Sequence, residues 1–217
     1  MLKVLKKRIE TANVFSLILE KPKHFDFYAG QYLDIELAVQ DKFGNSRAFT
    51  ISSSTTEDFL MITTKKGVSP FKKFMEQLKT GDIITTSHPA GTFILDQSAP
   101  AIFIAGGIGI TPFRSMVKYA ADKKLTTPIT LIYLNSGHNF LFKKELETWQ
   151  KQLPNLEIVY INTAKYGHLK TLDTKYLTPN TIFYLAGPPK MVDDFEKILV
   201  DLGVDQTNIR YDRFDGY

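Results

Sequence analysis

The most constraining feature of this chain is the segment Ala101-Ile102-Phe103-Ile104-Ala105-Gly106-Gly107-Ile108-Gly109-Ile110-Thr111-Pro112. Its first five residues are apolar without alternation, the mark of a strand buried on both faces. A glycine-rich turn follows, then a helix expected over 112–122 with Phe113, Met116, Val117 and Ala120 on one face. A strand covered on both sides needs helices on both sides, so strands and helices should alternate downstream. They do. Strands are expected at 129–134, 156–161 and 181–185, with a short last one near 207–211. Helices are expected at 143–152 and 189–202, the second carrying Met191, Val192, Phe195, Ile198 and Leu199. This half reads as a parallel sheet between helical layers.

The first half has a different period. Short strands are expected at 13–20, 31–36, 48–51, 59–64 and 82–86, separated by Ala29-Gly30, Phe43-Gly44-Asn45, Lys66-Gly67 and Thr80-Gly81. Short strands with regular turn punctuation suggest a small antiparallel barrel. One helix interrupts them. Phe71, Phe74, Met75 and Leu78 follow helical spacing, with Ser69 as N-cap and Pro70 as first helical residue. The polar stretch Asp96-Gln97-Ser98-Ala99-Pro100 divides the chain into two units, 1–97 and 98–217.

Composition removes whole classes of chemistry. The 217 residues contain no cysteine, which excludes disulfides, thiolate metal sites, iron–sulfur clusters and thiol nucleophiles. The histidines, at 24, 88, 138 and 168, are scattered, and no metal site is expected. A net charge of +4 suits phosphate ligands and acidic partners, but without a dense basic cluster nucleic acid is not expected. No apolar run is long enough for a membrane helix, and no apolar stretch follows the basic N-terminal residues as in a secretory signal. The expectation is a cytoplasmic monomer.

Four clusters carry the chemistry. Gly106–Gly109 between strand and helix allows a tight turn and close approach of a ligand to backbone, and free N–H groups at the helix start suit a pyrophosphate. The ordinary dinucleotide pattern is not matched, because Pro112 replaces its third glycine and no acid follows the second strand. Gly67-Val68-Ser69-Pro70 and Gly187-Pro188-Pro189 also open helices, and each alone is equally a plain capped turn. Arg47-Ala48-Phe49-Thr50 places a cation and a ring on one strand face and Thr50 on the other.

The order of these clusters, barrel before parallel sheet, resembles the ferredoxin–NADP reductase-like superfamily over nearly the whole chain, as a short bacterial ferredoxin or flavodoxin reductase-like member without an iron–sulfur domain. The resemblance implies a Greek-key flavin-binding barrel followed by an α/β domain that binds NAD(P). It assigns Arg47 to a flavin phosphate, Phe49 to the isoalloxazine ring and Thr50 to a hydrogen bond near the reactive ring nitrogen. Gly67, Val68 and Ser69 match the pyrophosphate segment, and Gly107, Gly109, Thr111 and Pro112 the nicotinamide-nucleotide segment. His88-Pro89-Ala90-Gly91-Thr92-Phe93 matches the turn that closes the barrel. Gly187 and Pro188 match the last motif, where Ala186 replaces the usual Cys. Tyr217 would cover the flavin, with Asp215 in place of a nearby Glu. The implied cofactor is FAD, with FMN the alternative, and the cosubstrate is NADH or NADPH. The segment Ile161–Lys165 has no Arg to read a 2′-phosphate, which favours NADH unless Lys165, Lys170 or Arg114 reaches that group. Electrons would pass to a separate acceptor, an acidic ferredoxin or flavodoxin or a small molecule. The alternative is a flavin- or nucleotide-binding regulator with little turnover.

Overall fold

The first strand is one that the sequence pattern leaves unassigned. In the computed structural model, which describes residues 1–167 and 171–214, β1 (Leu2–Thr11) is the longest strand of its sheet. Leu2 and Val4 are buried while Lys3 and Leu5 are exposed, so the basic residues of this segment mark its outer face. Then come β2 (Val14–Glu20), β3 (Tyr32–Glu36), β4 (Ser46–Thr50), β5 (Phe59–Lys65), helix α1 (Pro70–Gln77) and β6 (Ile83–Thr86). These six strands form one sheet in the order β4-β3-β6-β1-β2-β5, with antiparallel pairing. A bridge between Ile51 and Ile62 joins its two edges, curling the sheet into a barrel. Leu17, Leu33, Ile35, Leu60 and Ile62 fill the interior, and Phe71 and Met75 of α1 stopper it. α1 starts as its sequence dictates. Ser69 Oγ accepts the Lys72 N–H, and Pro70 takes the position where a missing N–H does no harm.

The second half is the layered parallel sheet. β7 (Ala101–Gly106), α2 (Ile110–Lys123), β8 (Ile129–Asn135), α3 (Lys143–Gln152), β9 (Leu156–Asn162), α4 (Thr163–Tyr166), β10 (Ile182–Gly187), α5 (Pro189–Asp201) and β11 (Ile209–Arg213) follow in turn. The strand order is β11-β10-β7-β8-β9, all parallel. Phe103, Leu131 and Tyr184 point into the cluster under α2 and α3, where Phe103 stacks on Phe113 at 4.7 Å. Ile102, Ile104, Phe183 and Leu185 point into the cluster under α5. The unalternating apolar runs therefore serve both layers, as expected. Successive strands step one way from β7 to β9 and the other way from β10 to β11. The break lies between β7 and β10, where open sheets place their ligand crevice.

A buried guanidinium ties the halves together. Arg114 of α2, with 2% of its side chain exposed, donates to Glu57 at 2.9 Å and to Glu145 at 2.7 Å. It also donates to the Ser52 carbonyl at 2.8 Å, and it stacks over Trp149. Next to it, Ser115 Oγ donates to the Ser53 carbonyl at 2.6 Å. At the far side of the junction Arg210 donates to Asp96 at 3.1 Å and to the Tyr184 hydroxyl at 2.9 Å. Arg114 thus cannot read a coenzyme phosphate, which removes it from the sequence-derived candidates. Losing one partner of such a buried network strands the others. Arg114→Met should lower unfolding free energy by about 3 kcal/mol or more, read from urea denaturation.

Candidate functional site

The crevice at the strand-order break is built by glycines that meet one another. A Cβ placed on Gly109 would lie 2.2 Å from the Ala186 carbonyl oxygen and 2.6 Å from the Gly187 nitrogen. On Gly106 it would lie 2.3 Å from Met191 Sδ, and on Gly187 3.1 Å from the Gly106 Cα. The two strand-to-helix turns therefore pack backbone against backbone. Gly109 has φ −62, open to any residue, so its requirement is close packing on β10 and not a special dihedral. Gly107 is the glycine of this turn that does need its conformation, at φ +54, and no atom lies nearer than 4.0 Å to its Cβ position. The Tyr133 hydroxyl donates to the Gly107 carbonyl at 3.0 Å and steadies the turn.

In front of these turns lies a cleft of about 520 Å³ between barrel and sheet. Its barrel wall includes Tyr32, Arg47, Phe49, Thr50, Thr64, Lys65 and Lys72, and its sheet wall Gly106, Ile108, Thr111, Pro188 and Asp212. Of the residues singled out in the sequence, Arg47, Phe49, Thr50, Thr111 and Pro188 come together here. Gly107, Gly109, Pro112 and Gly187 are not among its lining residues, although the Cβ position of half-buried Gly107 lies 4.0 Å from Lys65 Nζ of the barrel wall. Gly67, Val68 and Ser69 lie off the cleft, with Val68 89% exposed. Tyr217 and Asp215 lie outside the described residues. Ala186 is fully buried at the C-terminal end of β10, paired with Asp212 at the sheet edge, and it is not among the residues that line the cleft.

The register of β3 with β4 explains the barrel wall. Tyr32 pairs with Thr50 and Asp34 with Ala48, so Tyr32, Ala48 and Thr50 share one face. Arg47 and Phe49 share the other, as their spacing requires. Phe49 stacks on Phe71 of α1 at 6.0 Å and belongs to the barrel core, so only its rim borders the cleft. The closing turn adds a second element: Tyr32 exchanges backbone hydrogen bonds with Ala90, and its ring lies over Gly91, which has φ +100. The Arg47 guanidinium turns toward the loop joining β3 to β4. It donates to the carbonyls of Phe43, Gly44 and Ser46 and pairs with Asp41 at 3.0 Å.

Charge is distributed unevenly across the cleft. Lys72 donates to Thr64 Oγ1 at 2.6 Å and lies over the Phe49 ring at 4.9 Å. Burial first, then Arg47 and Lys65, lower its pKa to about 8. A buried lysine with two further cations beside it is a receptacle for an anion. On the opposite wall, burial raises the Asp212 carboxyl to about 6. Among the described residues no group of three or more His, Asp or Glu could hold a metal ion, and no helix is long and apolar enough to cross a membrane.

Comparison with known proteins places this geometry. Residues 1–106 match the FAD-binding domain family, and residues 103–197 match the oxidoreductase NAD-binding domain family. The chain belongs to the ferredoxin–NADP reductase-like superfamily. The flavohemoprotein of Bacillus anthracis is 26% identical over 240 residues, covering 97% of this chain and 60% of that protein. The toluate 1,2-dioxygenase electron transfer component of Pseudomonas putida is 28% identical over 203 residues, covering 87% of this chain and 59% of that protein. The chain thus spans about 60% of the length of these relatives. In structure it resembles ferredoxin–NADP+ reductase of Plasmodium falciparum, with a TM-score of 0.82 at 23% identity over 98% of this chain and 95% of that one. The FAD/NAD-binding domain of nitric oxide dioxygenase from Vibrio cholerae gives a TM-score of 0.78 at 22% identity, over 98% and 97% of the two chains. The cofactors of this reductase-like chain are accordingly FAD and a nicotinamide nucleotide.

The donor set fits a phosphate-bearing flavin: a cationic barrel wall for the phosphates, and Tyr32, Phe49 and Pro188 as apolar surface for flat rings. Sequence reading misses Tyr32, Lys65, Lys72 and Asp212. The last strand, expected at 207–211, runs to Arg213, which puts Asp212 at the C-terminal crevice edge. With that strand end, the open-sheet rule would have found it.

Two outcomes follow. Gly109→Ala should destabilise the protein by about 2 kcal/mol through overpacking on Ala186, whereas Gly107→Ala should show only the roughly 1 kcal/mol strain of its positive φ; urea titration separates them. Asp212 has a folded pKa above its unfolded one, so the folded state binds the extra proton between about pH 4 and pH 6. Its contribution is fully present below pH 4 and lost as pH rises through about 6. Against Asp212→Asn, wild type should lose about 2 to 3 kcal/mol of relative stability across that window.

Proposed function

We propose that the chain is a flavin-dependent NAD(P)H oxidoreductase whose electrons leave to a separate acceptor, a ferredoxin- or flavodoxin-like protein or a small molecule. The observation that carries this reading is the meeting, at one strand-order break, of a cationic barrel wall with the glycine-packed turns of β7 and β10. Bound FAD supplies the redox chemistry, taking hydride from the nicotinamide and giving up electrons singly or as a pair. Residues 1–97 hold the flavin in this reading and residues 98–217 the nucleotide.

The chain's own side chains divide the work. Lys65 and Lys72 balance phosphate charge, with Arg47 behind them. Tyr32 and Phe49 give the rings an apolar bed, and the Thr50 hydroxyl, on the Tyr32 face, offers a hydrogen bond at the ring edge. Ile108, Thr111 and Pro188 form the wall on which the nicotinamide rests, with the Thr111 hydroxyl already tied to the Ile108 carbonyl at 3.1 Å. Asp212, poised near pH 6 by burial, holds or releases a proton on that wall. The net charge of +4 favours encounter with an acidic acceptor.

Anaerobic mixing of the flavin-loaded protein with NADH should bleach the flavin absorbance; a spectrum unchanged by NADH and NADPH would leave a binding protein without turnover. The ratio of kcat/KM values at one salt concentration should favour NADH. Of the cations weighed for a 2′-phosphate, Arg114 is committed to Glu57 and Glu145, Lys170 lies outside the described residues, and Lys165 offers a single ammonium, which reads that group less well than a guanidinium fork. A preference for NADPH above about tenfold would overturn that expectation.

A further inference from the structure

The loop joining β3 to β4 carries a carboxylate into the donors that the proposed function gives to a flavin phosphate. Asp41 Oδ1 accepts from Arg47 Nη2 at 3.0 Å and from the Phe43 N–H at 3.1 Å. Its Oδ2 accepts from the Phe71 N–H, in the first turn of α1, at 3.2 Å. The Phe43 N–H first, then the Phe71 N–H, Arg47 and the nearby Ser69 hydroxyl, hold this carboxyl below its ordinary range against the effect of burial. The Asp41 side chain is 1% exposed and that of Arg47 4%. A guanidinium and a helix-start N–H converging on one anion are donors that a phosphate ester uses. Asp41 is far from α1 in sequence, and it bridges Arg47, to which the resemblance gives a flavin phosphate, and the start of α1.

We propose that the Asp41 carboxylate and a phosphate of the flavin cofactor compete for this one donor set, so that the β3–β4 loop must release Asp41 for the phosphate to enter. The inference rests on the flavin reading above. The loop is built to be released. Residues 42–46 are exposed, Phe43 among them at 52%, so little apolar surface resists the movement. Arg47 Nη1 stays bonded to the Phe43, Gly44 and Ser46 carbonyls, at 2.6, 2.9 and 2.7 Å, which keeps the guanidinium in place when Asp41 leaves. Exchange of one anion for another leaves the buried cation paired throughout, and this avoids the penalty of stranding it. A ligand without phosphate has no claim on these donors and leaves Asp41 where it is.

The test titrates flavin-stripped protein with FAD and with riboflavin, reading quenching of flavin fluorescence. Asp41→Asn should bind FAD about tenfold more tightly than wild type and riboflavin within about twofold of it, because only the phosphate competes with the carboxylate. Glu36→Gln removes a carboxylate of the same hairpin that bonds Asn45, and it should leave FAD affinity within about twofold. FAD binding by Asp41→Asn that is unchanged or weaker overturns the proposal. A gain shared by riboflavin, or matched by Glu36→Gln, overturns it as well. Should Asp41→Asn fail to fold, hydrogen exchange on wild type decides: amides of residues 37–46 should exchange faster with FAD bound, and slower or unchanged exchange overturns the proposal. Wild type that binds no FAD would sink the flavin reading itself, an outcome distinct from binding that is indifferent to Asp41.

Discussion

Arg114 is where a barrel and a parallel sheet become one site. An arginine buried this deeply is tolerated only if every donor finds an acceptor, and its acceptors come from two places. The Ser52 carbonyl and Glu57 lie on the connection between β4 and β5, and Glu145 lies on α3. Burial works against the charge, and hydrogen bonds with Glu57 and the charge of Glu145 outweigh it, so the guanidinium stays protonated. That geometry fixes α2 against the end of β4. The start of α2 carries Thr111, and the end of β4 carries Thr50. The cleft is the space left between those two fixed points, so its width depends on a contact lying wholly outside it.

The second constraint is the absence of side chains. β7 and β10 are hydrogen-bonded neighbours in register from Ala101–Ile182 to Ala105–Ala186. Both turn into helices at the same level, and two turns with side chains could not occupy that level together. Gly109 solves the conflict by letting backbone touch backbone, and Gly106 and Gly187 leave room for the Met191 side chain. The crevice edge is rigid for that reason, and it can present Ile108 and Pro188 at a constant separation.

What the sequence discloses and what it withholds divide along locality. The α3 limits, the Ser69 cap with Pro70 behind it, and the double-faced burial of β7 and β10 all follow from neighbours in the chain, and all are legible. The role of Gly109 is not, because the atom that forbids its side chain belongs to Ala186. Tyr32 becomes a site residue through pairing with Thr50, a register that no periodicity announces. β1 is hidden for another reason: its lysines and Arg8 break the apolar signal, since much of the strand faces outward. Lys72 sits beside the apolar stripe of α1 and reads as an ordinary surface lysine until β5 brings Thr64 against it.

The cleft also has an electrostatic direction. Asp212 and Arg213 are consecutive at the end of β11 and both border the cleft. Arg213 donates to Asp193 at 2.9 Å and to Glu196 at 2.8 Å on α5, so its charge is spent there. Asp212 therefore faces the cleft with burial dominating and its carboxyl raised. Across the gap, Lys65 and Lys72 are close enough to Arg47 for like charges to lower the Lys72 pKa. The barrel wall thus favours bound anions, while the sheet wall holds a group that changes protonation near pH 6.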